Sequence, residues 1–458
     1  MNKINNISFE NLPSVREVLL SVKDKSSIHE DYIKYLINHE LDIIRLKIVK
    51  NDYSNIPKNL LHYISKKVIM KSTKSLKSII NGTGIVLHTG FGRAPFQAST
   101  LRKIANCLEG YSNFEFNLET GTRGDRQSHV NPFMNAICGS ESSMVVNNNA
   151  AAVLLSINEI AKNGEVIVSR GQLVEIGGSF RIPDIINTGG SILNEVGTTN
   201  RTRKQDYLNA INKNTKLLLW VHTSNYVIKG FTESVPLKDV IKIGNKNNIP
   251  VMVDWGSGSF IDLKRLKLAD EMPVKSIMKN RPDILTFSGD KLIGGPQSGF
   301  ILGKKKLIEA LKKNTLYRTM RCDKVTISLI EETLRTYGKE SFNRNNLSLK
   351  MLMTKDTTLK NRGNEILSKI KKEKVSKLGI RLVPSYVEAG SGSLPEKKIK
   401  SFAISFNPKF IKINYLATKF RLGKIPVVGY IKADKFYIDL KSVLPNQLKL
   451  LSSAIQNI

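Results

Sequence analysis

The chain is 458 residues long and 41% hydrophobic, enough for two or three domains with a large core, which argues against a disordered or low-complexity protein. No run approaches the roughly eighteen apolar residues of a membrane span, residues 1–20 lack a signal peptide's apolar centre, and Cys107, Cys138 and Cys322 are too scattered for a disulfide framework or a zinc site, so a cytoplasmic enzyme without a metal centre is expected. Formal net charge is +32, from 71 Lys+Arg against 39 Asp+Glu, an excess that attracts polyanions and points either to a nucleic-acid partner or to a lysine-rich codon bias.

Residues 1–66 read as a helical module. Ile33, Leu36, Ile37, Leu41, Ile44 and Leu46 fall at helical spacing, while Lys34, Arg45, Lys47 and Lys50 supply positive charge for docking or for gripping a phosphate backbone. Residues 67–85, opening with a Lys- and Ser-rich run, read as a linker, and residues 86–340 as the main domain. Glycine turns around a short apolar strand in 79–95 place Arg93 where a guanidinium can meet an anion. Residues 117–129 are too polar and glycine-rich for a core element. Arg123, Arg126 and His129 there either face a substrate or belong to a solvated loop.

In 143–155 a strand ends at Val146 and an alanine-rich helix starts after three asparagines. Helix amino-termini offer free N–H groups to phosphate, so Asn148, Asn149 and Ala150 are the expected phosphate cup. From about 160 to 300 strand and helix signals alternate, which predicts an α/β fold with a mostly parallel sheet. Two strand ends stand out. Asp254 closes the apolar run 250–254, and Lys291 follows the run 284–287 at a glycine-rich turn, with Ser288 a further phosphate ligand. A buried lysine amine can hold an aldehyde as an imine, and a carboxylate is needed against the ring nitrogen of pyridoxal 5'-phosphate (PLP). The pair satisfies both requirements. Residues 341–458 read as a helical connection and a small α+β domain ending in a helix.

Asn147-Asn-Asn-Ala-Ala-Ala, the run 168–184, Val196-Gly-Thr-Thr-Asn-Arg201, Val221-His-Thr-Ser-Asn-Tyr226 and Thr286-Phe-Ser-Gly-Asp-Lys-Leu-Ile-Gly-Gly-Pro-Gln297 closely resemble the bacterial selenocysteine synthases, the L-seryl-tRNA(Sec) selenium transferases. The resemblance covers nearly the whole chain, including Gly423-Lys-Ile-Pro-Val-Val-Gly-Tyr430. It implies a fold-type-I PLP-dependent transferase with a mostly parallel large-domain sheet, a small α+β carboxyl-terminal domain and a small helical amino-terminal domain that binds tRNA. It further implies seryl-tRNA(Sec) and selenophosphate as substrates, and a homo-oligomer built as a ring of dimers, a decamer. Lys291 matches the family's cofactor lysine, Asp254 the partner of the pyridine nitrogen, and Asp290 an acidic active-site residue. Arg93, Arg318 and Arg321 match arginines for the phosphate-like end of the selenium donor, and Arg123, Arg126 and His129 lie in a matching substrate loop.

Four residues depart from the family pattern. Gly90-Phe91 stands where Asn-Leu is common, Gln127 where an aromatic is common, and Trp255 where an aliphatic is common. Two rival readings are a PLP-dependent lyase acting on a free small amino acid or amino sugar, and an RNA-binding protein without catalysis. The basic amino-terminal module argues against the first, and the Lys291–Asp254 pair with its phosphate cup against the second.

Overall fold

The computed structural model describes residues 8–26, 28–176, 180–266, 268, 271–338, 346–390 and 398–458. Contacts divide the chain into two units, Met1–Ile79 and Ile80–Ile458. The first is built on the helices α1 (Val15–Val22), α2 (Glu30–Val49) and α3 (Leu60–Ser72). Ser14 and Glu17 start α1 as a reciprocal cap, the Glu17 carboxylate accepting the Ser14 N–H at 2.7 Å. On α2 the stripe Ile33, Leu36, Ile37, Leu41, Ile44 and Ile48 is buried, much of it with Val18, Val22, Ile64 and Val68. Leu46, expected on this stripe, is exposed because it lies two residues from Ile44, on the opposite side of the helix. Glu40 occupies a stripe position and is buried with its carboxylate 2.5 Å from the Lys71 ammonium.

The expected linker over 67–85 is overturned at both ends. Residues 67–72 continue α3, whose buried Ile64 and Val68 at (i, i+4) outweigh the lysines between them. Residues 80–83 belong to the second unit, for reasons given below.

In the second unit the strands, in chain order, are β1 (Ile80–Asn81), the hairpin β2 (Phe116–Asn117) and β3 (Thr122–Arg123), β4 (Ser142–Val146), and β5 (Glu165–Ser169). A second small hairpin follows, β6 (Glu175–Ile176) and β7 (Phe180–Arg181), then β8 (Ile192–Val196), β9 (Thr215–Val221), β10 (Val251–Asp254), β11 (Ile284–Ser288) and β12 (Gly299–Gly303). Seven of these form one sheet in the order β4-β12-β11-β10-β9-β5-β8, all parallel except β12, which runs antiparallel to both its neighbours. The strands read as unbroken apolar runs because both faces are covered. One face holds Val145, Leu218, Val253 and Leu285, the other Val146, Leu219, Met252 and Ile284.

The remaining strands are β13 (Arg381–Val387), β14 (Ile399–Phe406), β15 (Val427–Val428), β16 (Tyr430–Lys432) and β17 (Lys435–Asp439). Four of them form an antiparallel sheet, β13-β14-β17-β16. Helices Asp356–Ser368, Ile413–Leu422 and Leu448–Gln456 pack their Leu359, Ile366, Leu416, Phe420 and Leu451 with its Ile404, Phe406 and Phe436. β1 pairs with β15, and Thr83 bridges to Asp439, so residues 80–83 are stitched to the carboxyl-terminal strands. The expected domains 86–340 and 341–458 fall within a single contact unit.

Candidate active site

Parallel strands direct their carboxyl ends to one edge, and the candidate chemistry collects there. Asp254 is the last residue of β10, in register with Thr286 of β11, whose hydroxyl donates to its carboxylate at 3.4 Å. Asn149 donates its side-chain N–H to the same oxygen at 2.9 Å. That contact follows from the cap of the next helix, Asn149–Ala161. The Asn148 side chain accepts the Ala151 N–H at 2.9 Å, which leaves Asn149 as the first helical residue. So the side chains of the expected phosphate cup have other partners, Asn148 its own helix and Asn149 the carboxylate. The backbone N–H groups of Asn149 and Ala150, at a helix start with no intrahelical acceptor, remain suited to an anion. Ser288 is buried at the end of β11, opposite Gly299 of β12.

Lys291 lies three residues past β11 and is only 4% exposed. Burial depresses its pKa, as does Arg93, and Asp254, Asp290 and Glu271 partly offset this. Arg93 has left-handed backbone (φ 59°), anchored by its N–H to the His88 carbonyl at 3.0 Å, and its guanidinium donates to Asp290 at 2.6 Å. Burial raises the Asp254 pKa, opposed by its hydrogen bonds and by Lys291.

The structure adds residues that sequence reasoning did not single out. His222, just past β9, stacks on Trp255 with ring centroids 3.8 Å apart, and Trp220 lies 5.9 Å from Trp255. Burial, with Lys291 nearby, holds the His222 imidazole down at about 4. A Cβ at Gly256 would lie 3.8 Å from the Ser224 hydroxyl and 4.0 Å from the Lys291 ammonium, so serine and lysine face the same gap. Glu271 is buried, accepts a hydrogen bond from Ser257, and has its pKa raised by burial. His222 occupies a strand end as Asp254 does, which was the signal available; nothing in the spacing around Glu271 marks it.

A second basic cluster lines a cavity of its own. Arg123, Arg126, Arg318 and Arg321 line a cavity of about 380 Å³ with Glu115, Asp125 and Tyr317. Lys291, Asp254 and Arg93 are not among its walls. Arg126 is engaged by Glu115 at 2.9 Å and by the Cys322 carbonyl at 2.6 Å, and Arg123 by Glu115 at 3.0 Å. Arg318 makes no ion pair among the described residues, and the Arg321 Nε is buried without a partner. His129 does not join them. Its ring contacts the Phe114 carbonyl at 3.2 Å and lines a different cavity with Lys103, Glu331 and Arg335. Among the described residues no group of three or more His, Cys, Asp or Glu could hold a metal ion, and no helix is long and apolar enough to cross a membrane.

The family model described as L-seryl-tRNA selenium transferase matches residues 79–444. The chain belongs to that family. It is 38% identical over 448 residues to the L-seryl-tRNA(Sec) selenium transferase of Aquifex aeolicus, covering 98% of each chain, and 40% identical over 454 residues to that of Caldanaerobacter subterraneus, again covering 98% of each. Among solved structures, D-glucosaminate-6-phosphate ammonia-lyase superposes with a TM-score of 0.59 at 18% identity, over 83% of this chain and 95% of that one. The shared fold is the fold-type-I architecture expected from the sequence. Where the chain departs from its family's pattern, the structure shows occupied contacts. Phe91 stacks on His88 at 4.0 Å, Trp255 on His222, and Gln127 is wholly buried in hydrogen bonds.

Proposed function

We propose that the chain converts L-seryl-tRNA(Sec) to L-selenocysteinyl-tRNA(Sec) with selenophosphate, using PLP, by loss of the seryl hydroxyl to give dehydroalanyl-tRNA and addition of selenium to its β-carbon. The observation that carries this reading is the buried Lys291 set beside Asp254 and the Arg93–Asp290 pair at adjacent strand ends. The residues fit the cofactor. Asn149 Oδ1, His222 Nδ1 and Ser224 Oγ are buried polar atoms without protein partners around an amine and a carboxylate of the required types.

When bound, PLP supplies the electron sink that makes the seryl α-proton acidic. Lys291, its pKa depressed, would hold the cofactor and is the amine placed to take the seryl α-proton. Asp254, steered by Asn149 and Thr286, balances the protonated ring nitrogen. The Asn149 and Ala150 amides and the Ser288 hydroxyl receive the phosphate. Asp290 orients Arg93 toward the substrate side. Arg318 and Arg321 hold the oxyanion end of selenophosphate, and Arg123 and Arg126, already engaged by Glu115, shape that wall. The chain assembles as a homo-oligomer, a ring of dimers amounting to a decamer. The basic amino-terminal helices bind the tRNA.

The test is the visible absorption spectrum of the PLP-loaded protein before and after seryl-tRNA(Sec), beside a Lys291→Ala variant. The expected outcome is a band that the charged tRNA shifts and the variant lacks. A band that responds to free serine or an amino sugar and ignores the tRNA would favour the small-molecule lyase; no band at all would sink the enzyme reading.

A further inference from the structure

Gln127 closes the open edge of the large sheet. The Val145 N–H of edge strand β4 donates to Gln127 Oε1 at 2.9 Å, and Gln127 Nε2 donates to the Val145 carbonyl at 2.9 Å. Pairing both ways with one backbone residue fixes the amide orientation, because a swapped amide would set N–H against N–H and oxygen against oxygen. The amide oxygen and one amide hydrogen are thereby committed. The second hydrogen points at the Tyr317 hydroxyl, 2.7 Å away.

Tyr317 must then accept from Gln127. A phenol oxygen can accept one hydrogen bond and donate another, so its own hydrogen is turned away from the amide. No described residue accepts it. Tyr317 lines the arginine cavity, and Arg321 lies over its ring, 5.1 Å from the centroid. Burial raises the Tyr317 pKa, so the proton is retained at neutral pH. Tyr317 thus brings a neutral donor to a cavity whose Arg318 and Arg321 make no ion pair among the described residues.

We propose that the Tyr317 hydroxyl donates a hydrogen bond to the tetrahedral oxyanion held by Arg318 and Arg321, and that Gln127 is a positioning residue which makes Tyr317 a donor. The inference rests on reading this cavity as the site for the selenium donor's oxyanion. Its chemistry is selective. A neutral donor reads an unprotonated oxygen without adding charge to a wall that already carries four arginines.

The experiment measures inorganic phosphate binding to the PLP-loaded full-length protein by calorimetry, together with the KM for selenophosphate and for seryl-tRNA(Sec). Tyr317→Phe keeps the ring under Arg321 and removes only the donor. It should weaken phosphate binding and raise the selenophosphate KM about tenfold, the size of one hydrogen bond to a charged group, with the seryl-tRNA KM and the visible band unchanged. Gln127→Met should weaken phosphate by a smaller factor, and the double variant should be no weaker than Tyr317→Phe alone, since both act through one hydroxyl. Unchanged phosphate affinity in Tyr317→Phe, with affinity lost in Arg318→Ala, overturns the role of Tyr317 while leaving the cavity reading intact. Retained affinity in Arg318→Ala overturns the cavity reading itself. Additive losses in the double variant, or an equal rise in both KM values, would make the pair merely structural and overturn the proposal.

Discussion

His222, stacked on the Trp255 indole just past the end of β9, shows how the site sets its own protonation. Its imidazole titrates at about 4 in the folded chain against 6.5 for the free side chain, because burial and Lys291 oppose the charge. As pH falls from 7 the unfolded chain takes up this proton first. The neutral ring's contribution to stability is therefore complete above about 6.5 and is lost progressively down to about 4. At pH 5 the deficit is about 2 kcal/mol. Replacing His222 by Gln should shrink the difference in unfolding free energy between pH 5 and pH 7 by that amount, measured by denaturant titration; an unchanged difference would place the titrating group elsewhere. Lys291 and Asp254 were legible in the sequence because each ends an unbroken apolar strand. His222 shares that position but reads as one polar residue in a polar loop, and Glu271 reaches the lysine's neighbourhood through a fold that local spacing cannot convey.

Among the elements, β12 and the start of the helix Asn149–Ala161 approach each other closely. A Cβ at Gly299 would lie 2.1 Å from the Asn148 carbonyl oxygen, a contact only backbone movement could relieve. Gly299→Ala should displace the Asn149 and Ala150 amides and the Asn149–Asp254 bond together, weakening PLP affinity at least about tenfold in a cofactor titration. Gly338→Ala is the control, since the nearest atom to a new Cβ there is 3.6 Å away. The strand preceding each candidate residue was legible from its apolar run, but β12 was not, its five residues being hidden behind the glycine turn that precedes them. The end of α3 was hidden too. Lysines dominate the composition of 66–77, yet Val68 alone decides which side of that stretch is buried. The loop 117–129 was read as too polar for a core, and the structure buries its Gln127 completely, because a glutamine can satisfy a sheet edge that an apolar side chain cannot.

For the whole molecule, the boundary at Ile79 gives the tRNA proposal a clean test. Removing residues 1–79 should leave the visible band intact and cost at least about tenfold in tRNA affinity at low salt, with the loss shrinking as salt rises. Cutting at residue 66 instead divides α3 and strands Val68 in solvent, and is expected to yield aggregating protein. Undiminished tRNA binding by the shorter chain would move the nucleic-acid site into the catalytic unit. Light scattering on the full-length protein, read as a multiple of 51.3 kDa, tests the ring. The pairing of Ile80 with Val427 has a further consequence, for synthesis. The amino-terminal helices can form as they leave the ribosome, but Ile80 must wait for Val427, made several hundred residues later. At about 5–20 residues per second that delay is on the order of half a minute, during which an apolar strand end has no native neighbour. The first strand of the catalytic unit is thus among the last to find its place, and the interval before it does is when the nascent chain has most need of a chaperone.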